Sequence, residues 1–266
     1  MKLHIRCDLK NGCNAVRIAE FTKGQQLGFC IARLKAGETH DTKLARAESA
    51  IIPLGGTCTV QCDGAAFEHV GERANVFAGK ASAVYVPPGF RQTITAETDC
   101  EVAICATPAT IQAAPQVVRP SEVRSRSVGA GNWRRDVHDI LYDNVPAQKL
   151  LVGETCNPPG NWSSYPPHKH DLDDPPEEAA LEEVYHFRAN PPQGFGIQRI
   201  YTADGSLDEV YVIRDGDTVV IPRGYHPVAA APGYQLYYLW MLAGSRRLML
   251  PNDDPAHAWV KAQEGQ

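Results

Sequence analysis

The 266-residue chain has no apolar stretch approaching the ~20 residues of a membrane-spanning helix, and its start, Met1-Lys2-Leu3-His4-Ile5-Arg6, has no apolar signal core. A soluble, cytoplasmic protein without membrane attachment is expected. A basic block is missing as well. Lys and Arg number 26 against 31 Asp and Glu, a formal net charge of -5, which argues against nucleic acid and anionic membrane surfaces as partners. No C-x-x-C pair occurs among the eight cysteines. With no disulfide framework or zinc cluster to read, free thiols in a reducing compartment are expected, and those in strand-like stretches such as Thr57-Cys58-Thr59-Val60-Gln61-Cys62 should pack as small hydrophobes. What the chain does have is 20 Pro and 22 Gly spread between short apolar runs. That is the pattern of a turn-rich, all-β protein of low helical content, and 43% hydrophobic residues can fill two cores.

Potential metal ligands cluster in the second half. His168-Lys169-His170 supplies two imidazoles, Glu183-Val184-Tyr185 a carboxylate, and Gly216-Asp217-Thr218-Val219-Val220-Ile221-Pro222-Arg223-Gly224-Tyr225-His226 a third imidazole. Residues two apart on a strand share a face, so His168 and His170 can aim into one cavity. Pro222-x-Gly224 is a tight turn that re-aims the chain after an apolar strand and delivers His226. Each part alone has a plain reading: H-x-H is common in loops, Glu182-Glu183 could be a solvated acidic stretch, and His226 beside Pro227 could be a turn histidine. Alternation lets only one of Glu182 and Glu183 face the histidines.

The order of these ligands resembles the cupin superfamily, whose second motif is matched here at Gly216, Asp217, Pro222, Gly224 and His226. The first motif departs from the usual pattern, because the acidic, Pro-rich stretch from Asp171 to Glu182 separates His170 from Glu183; it reads as a loop at the barrel mouth. The wording around the ligands is more specific. The segments Asn157–Asp171, Leu181–Tyr185, Gly194–Thr202, Tyr237–Gly244, Asp253–Trp259 and Gly131-Asn132-Trp133-Arg134-Arg135 look like the 5-deoxy-glucuronate isomerase family of myo-inositol catabolism, which is related to the 5-keto-4-deoxyuronate isomerases. The resemblance covers nearly the whole chain. It implies a bicupin of two tandem jelly-roll-like β-barrels, with His168, His170, Glu183 and His226 holding one divalent ion, zinc being the expected one, and with no organic cofactor.

An internal repeat points the same way. Val86-Pro87-Pro88-Gly89-Phe90-Arg91 mirrors Ile221-Pro222-Arg223-Gly224-Tyr225-His226 about half a chain earlier, with Arg91 where His226 stands, and the first half contains no H-x-H. A degenerate barrel over 1–125 without the metal site and a metal-binding barrel over 126–266 are expected, joined by the Pro- and Ala-rich segment from Thr107 to Arg126. Asp136–Leu141 reads as a strand entering the second barrel.

The implied activity is conversion of 5-deoxy-D-glucuronate to 2-deoxy-5-keto-D-gluconate through an enediolate, with a Lewis-acidic ion and a general base moving a proton from C2 to C1. Tyr185, on the face of Glu183, is a candidate to polarise an oxygen, and Arg199 and Arg223 are candidates to bind the substrate carboxylate. The expected partners are a small sugar acid and further copies of the chain. A cupin-type iron oxygenase and a non-catalytic sugar-acid-binding cupin are the alternatives.

Overall fold

A computed structural model describes residues 3–7, 9–17 and 26–263. Apart from short 3₁₀ turns at Pro120–Glu122, Gly131–Trp133 and Ala258–Gln263, every regular element among them is a strand, and no helix among them is long and apolar enough to cross a membrane. All strand pairs are antiparallel. The first half builds a six-stranded sheet in the order Gln116–Val118, Ala83–Val86, Ala47–Gly55, Cys100–Pro108, Gly28–Leu34, Gly12–Arg17, and a four-stranded sheet in the order Thr39–Lys43, Arg91–Ala96, Cys58–Cys62, Ala65–Val70. The second half repeats the plan. Its larger sheet runs His4–Ile5, Thr218–Ile221, Leu181–Asn190, Gln235–Gly244, Leu151–Asn157, Arg135–Leu141, Arg124–Val128, and its smaller one runs Trp162–Ser163, Val228–Ala230, Phe195–Tyr201, Asp208–Arg214.

The two larger sheets lie back to back, and their alternation is visible in the cores. In Gln235–Gly244, Leu236, Tyr238, Trp240 and Leu242 enter the interior of the second barrel, while Tyr237, Leu239, Met241 and Ala243 enter the core between barrels. Likewise Ile51, Val102 and Ile104 fill the first barrel, whereas Ala50, Ile52, Ala103 and Cys105 face the second. Burial on both faces explains why these strands read as continuous apolar runs rather than as alternating ones.

Buried polar pairs tie the halves together. Glu48 accepts hydrogen bonds from the backbone N–H groups of Gln148, Lys149 and Leu150 at 2.7–2.8 Å and from the Tyr85 hydroxyl at 2.9 Å. Arg73 of the first barrel donates to both oxygens of Glu154 in the second.

Two features join the segments on either side of residue 125. The strand Arg124–Val128 straddles it, and His4–Ile5 pairs with Thr218–Ile221, so the start of the chain completes the second barrel's sheet. There the His4 ring meets the Asp217 carboxylate at 2.8 Å. The cysteine expectation needs a correction: Cys13 and Cys30 are joined as a disulfide, and the remaining cysteines are free. The pair sits on adjacent strands, where Ala15 faces Cys30 and Cys13 faces Ala32. Strand register brings the two sulfurs together, and their spacing in sequence carries no motif.

Candidate metal centre

The short strand His168–Lys169 starts the site, pairing with Asn252–Asp253. Beyond His170 the acidic insertion leaves the barrel and returns, and Leu181 N–H donates to the His170 carbonyl at 2.9 Å. The loop therefore closes on itself, and its length does not separate Glu183 from the histidines. Glu178 organises the loop, being buried and accepting from the backbone N–H groups of Asp171 and Leu172 and from Lys169. Asp171 in turn accepts from Gly224 N–H at 2.7 Å, which ties the first motif to the second. Gly224 has φ +92°, and a Cβ there would lie 2.6 Å from the Tyr201 carbonyl oxygen, so the turn that aims His226 requires glycine.

His168, His170 and His226 bring one nitrogen each to within 4.8 Å of one another. Glu183 Oε2 lies 3.0 Å from His226 Nε2 and 3.8 Å from His170 Nε2. Its neighbour Glu182 is on the opposite face, accepting from Gln26 N–H at 3.0 Å in the space between barrels. His226 Nδ1 donates to the Gly224 carbonyl at 2.9 Å; a carbonyl only accepts, so Nε2 is the nitrogen turned toward Glu183. Burial, reinforced by the neighbouring His226, holds His168 and His170 well below the usual histidine range, leaving neutral imidazoles with lone pairs to offer. Burial would also lower His226, but the charge and hydrogen bonding of Glu183 and the Gly224 carbonyl outweigh it and raise that group. His170 Nδ1 is buried without a hydrogen-bond partner, and Glu183 Oε2 and His226 Nε2, facing each other at 3.0 Å, have no other. Buried polar atoms are normally satisfied. Three imidazoles and a carboxylate in this state form a donor set suited to a divalent cation.

Hydroxyl groups flank the donors. Ser164, held in the left-handed backbone region at φ +48°, puts Oγ 2.9 Å from the Tyr185 hydroxyl and 3.4 Å from that of Tyr238. Burial, then the Glu183 charge, pushes Tyr185 well above the ordinary tyrosine value, so it keeps its proton. These residues open onto a cavity of about 310 Å³ that His168, His170 and Glu183 also line, together with Arg126, Arg135 and Lys261.

Arg199 and Arg223 do not line this cavity. Arg199 is on the outer face, paired with Asp208 at 2.7 Å and stacked on Tyr201, and Arg223 donates to Ser206 at 3.1 Å on the surface. The cavity cations are ones that the motif reading passed over. Arg126 shares the buried Asp139 with Arg124, and Arg135 donates to the Tyr165 carbonyl at 3.0 Å, close to His168. In the first barrel, Arg91 is exposed and paired with Asp41 at 3.0 Å.

Two back-to-back jelly rolls with clustered histidines in the second define a bicupin with a candidate metal centre. Bacillus subtilis oxalate decarboxylase shares the fold, a mutant form superposing with a TM-score of 0.67 over 95% of this chain and 79% of that one at 13% identity. The chain belongs to the KduI/IolB family, whose model matches residues 6–260. Its relatives include proteins named 5-deoxy-glucuronate isomerase from Geobacillus kaustophilus, 42% identical over 93% of this chain and 90% of that one, and from Halalkalibacterium halodurans, 39% identical over 96% of each. An IolB-like protein from Salmonella typhimurium superposes with a TM-score of 0.93 at 37% identity, covering 98% of this chain and 100% of that one.

Proposed function

We propose that this chain is a cytoplasmic, metal-dependent isomerase that converts 5-deoxy-D-glucuronate to 2-deoxy-5-keto-D-gluconate in myo-inositol catabolism. One observation carries the reading: His168, His170 and His226 cluster with Glu183 beside them, and His168, His170 and Glu183 line a cavity that also holds guanidinium groups. The names of the relatives supply the substrate.

In this reading His168, His170, Glu183 and His226 hold the divalent ion, zinc fitting a donor set of nitrogen and oxygen. Bound there, such an ion supplies Lewis acidity to the aldehyde oxygen and its neighbouring hydroxyl. The chain's own groups do the rest. Tyr185 retains its proton at neutral pH, so it donates a hydrogen bond to a substrate oxygen rather than removing a proton from carbon. Ser164 fixes the direction of that hydroxyl. Burial of the site limits the access of water to the reacting carbons, and the proton taken from C2 by a general base is returned by the same group at C1. Arg126 and Arg135 receive the substrate carboxylate, which would be costly to desolvate unpaired.

The reading is tested by incubating the purified protein with 5-deoxy-glucuronate and following the aldehyde proton by NMR; it should disappear as the ketose forms. Arg126→Gln should raise KM by about tenfold to a hundredfold, the weight of a charge-assisted hydrogen bond, with metal content unchanged. Absence of conversion by the wild type would reject the substrate, and an unchanged KM would remove Arg126 from the carboxylate site.

A further inference from the structure

We propose that two copies of this chain join edge to edge through the strand Asp208–Arg214, antiparallel and centred on Tyr211. That strand is the last of the outer sheet in the second barrel. Phe195–Tyr201 pairs with one side of it, from Phe195 opposite Arg214 to Tyr201 opposite Asp208, and among the described residues no strand pairs with the other side. Val210 and Val212 are 61% and 47% exposed.

Native sheets shield such edges with Lys, Pro, bulges or a covering segment. The run Asp208-Glu209-Val210-Tyr211-Val212-Ile213-Arg214 has no Lys, Pro or Gly, its pairing with Phe195–Tyr201 proceeds without a shift in register, and its charges stand at its ends, leaving Val210 to Ile213 apolar or aromatic. The first barrel treats its own outer sheet differently. Thr39–Lys43 forms one edge with polar side chains and a terminal Lys43. At the other, Ala65–Val70, the pairing is bulged between Cys58 and Val60, and Arg119 donates to the carbonyl oxygens of Glu68 and His69 at 2.9 and 2.7 Å. Among the described residues no side chain caps the backbone of 209–213.

The exposed run is its own complement. It starts acidic, is apolar in the middle and ends in Arg214. Two antiparallel copies with Tyr211 opposite Tyr211 set Val210 against Val212, a favourable cross-strand pair, and bring Arg214 to Asp208, which already pairs with Arg199 of its own chain, while Glu209 falls opposite Ile213 on the other face. Residues 208, 210, 212 and 214 share the outer face. On that face Trp162, Ala229, Ile197 and Val212 already stand in register across the sheet, and the second copy's Val210 would extend the row. Such charge complementarity within one short segment selects a second copy of the chain over an unrelated partner.

Sedimentation velocity on the full chain tests this. The wild type should sediment at twice the 29.1 kDa chain mass, or a higher even multiple. Val210→Lys/Val212→Lys should halve that mass while the circular dichroism spectrum stays that of the folded wild type, because both positions are exposed in the single chain. Arg214→Glu alone should weaken association, because it sets a carboxylate against Asp208 of the second copy. A monomeric wild type, an unchanged mass in the valine variant, or undiminished association in Arg214→Glu would each overturn the proposal.

Discussion

Glu183→Gln should lose its metal on dialysis and lower turnover by at least about a hundredfold, since even a residue that merely supports a metal ligand is worth about tenfold to a hundredfold, whereas Glu182→Gln should retain both. The two side chains are adjacent in sequence and opposite in space. Glu183 is opposite Ile221 and Leu242 in register, with its Oε2 against His226, while Glu182 turns to Gln26 between the barrels. Removing the Glu183 charge leaves His226 Nε2 facing a neutral amide, and the cation loses its anionic donor. His168→Ala, His170→Ala and His226→Ala should behave like Glu183→Gln. Metal analysis after dialysis decides the matter. Retention in Glu183→Gln would mean that the carboxylate is not a ligand, and loss from Glu182→Gln would mean that the strand is shifted by one residue in solution.

Arg73→Ala should destabilise the protein by roughly 3–5 kcal/mol, the cost of breaking a buried ion pair from one side. For a chain of this length that lowers the melting temperature by on the order of 10 °C. Arg73 and Glu154 are 3% and 1% exposed, Arg73 Nη1 lies 2.9–3.0 Å from both carboxylate oxygens, and Tyr237 donates to the same carboxylate at 2.9 Å. Truncating the arginine leaves a charge enclosed between barrels with one neutral donor. Replacing both partners, Arg73→Met with Glu154→Gln, should recover part of the loss, because no ion is then left unpaired. Thermal and denaturant melts measure both variants. A loss below about 1 kcal/mol from Arg73→Ala would show that the interface opens to water there.

Much of this was legible in the sequence because it depends on short-range periodicity. The alternation that separates Glu182 from Glu183, the turn at Pro222-Arg223-Gly224, and the repeat ending in Arg91 all involve neighbours along the chain. The same logic, carried further, places Arg199 outside: in Phe195–Tyr201, Gly196, Gln198 and Ile200 are buried, so Phe195, Ile197 and Arg199 take the outer face. Arg223, between a proline and a left-handed glycine, turns outward with the bend. Arg126 and Arg135 were harder to see. They lie on paired strands whose shared buried face is set by Asp139 and by the approach of Tyr165, contacts between segments distant in sequence. The Cys13–Cys30 pairing and the crossing of His4–Ile5 into the second barrel have the same character, since cross-strand register decides them and no motif encodes it. The inserted loop hid its simplicity for a related reason. Its long excursion is closed by Glu178, one buried carboxylate among several acidic residues that look alike in sequence.

The most direct measurement compares turnover of 5-deoxy-glucuronate by protein stripped of metal with a chelator and by the same protein reloaded with a divalent ion, with the aldehyde proton followed by NMR. The stripped protein should be inactive, and about one equivalent of zinc or a comparable ion should restore conversion to the ketose without oxygen uptake. Full activity in a rigorously metal-free preparation, or conversion that consumes oxygen, would contradict a metal-dependent isomerase.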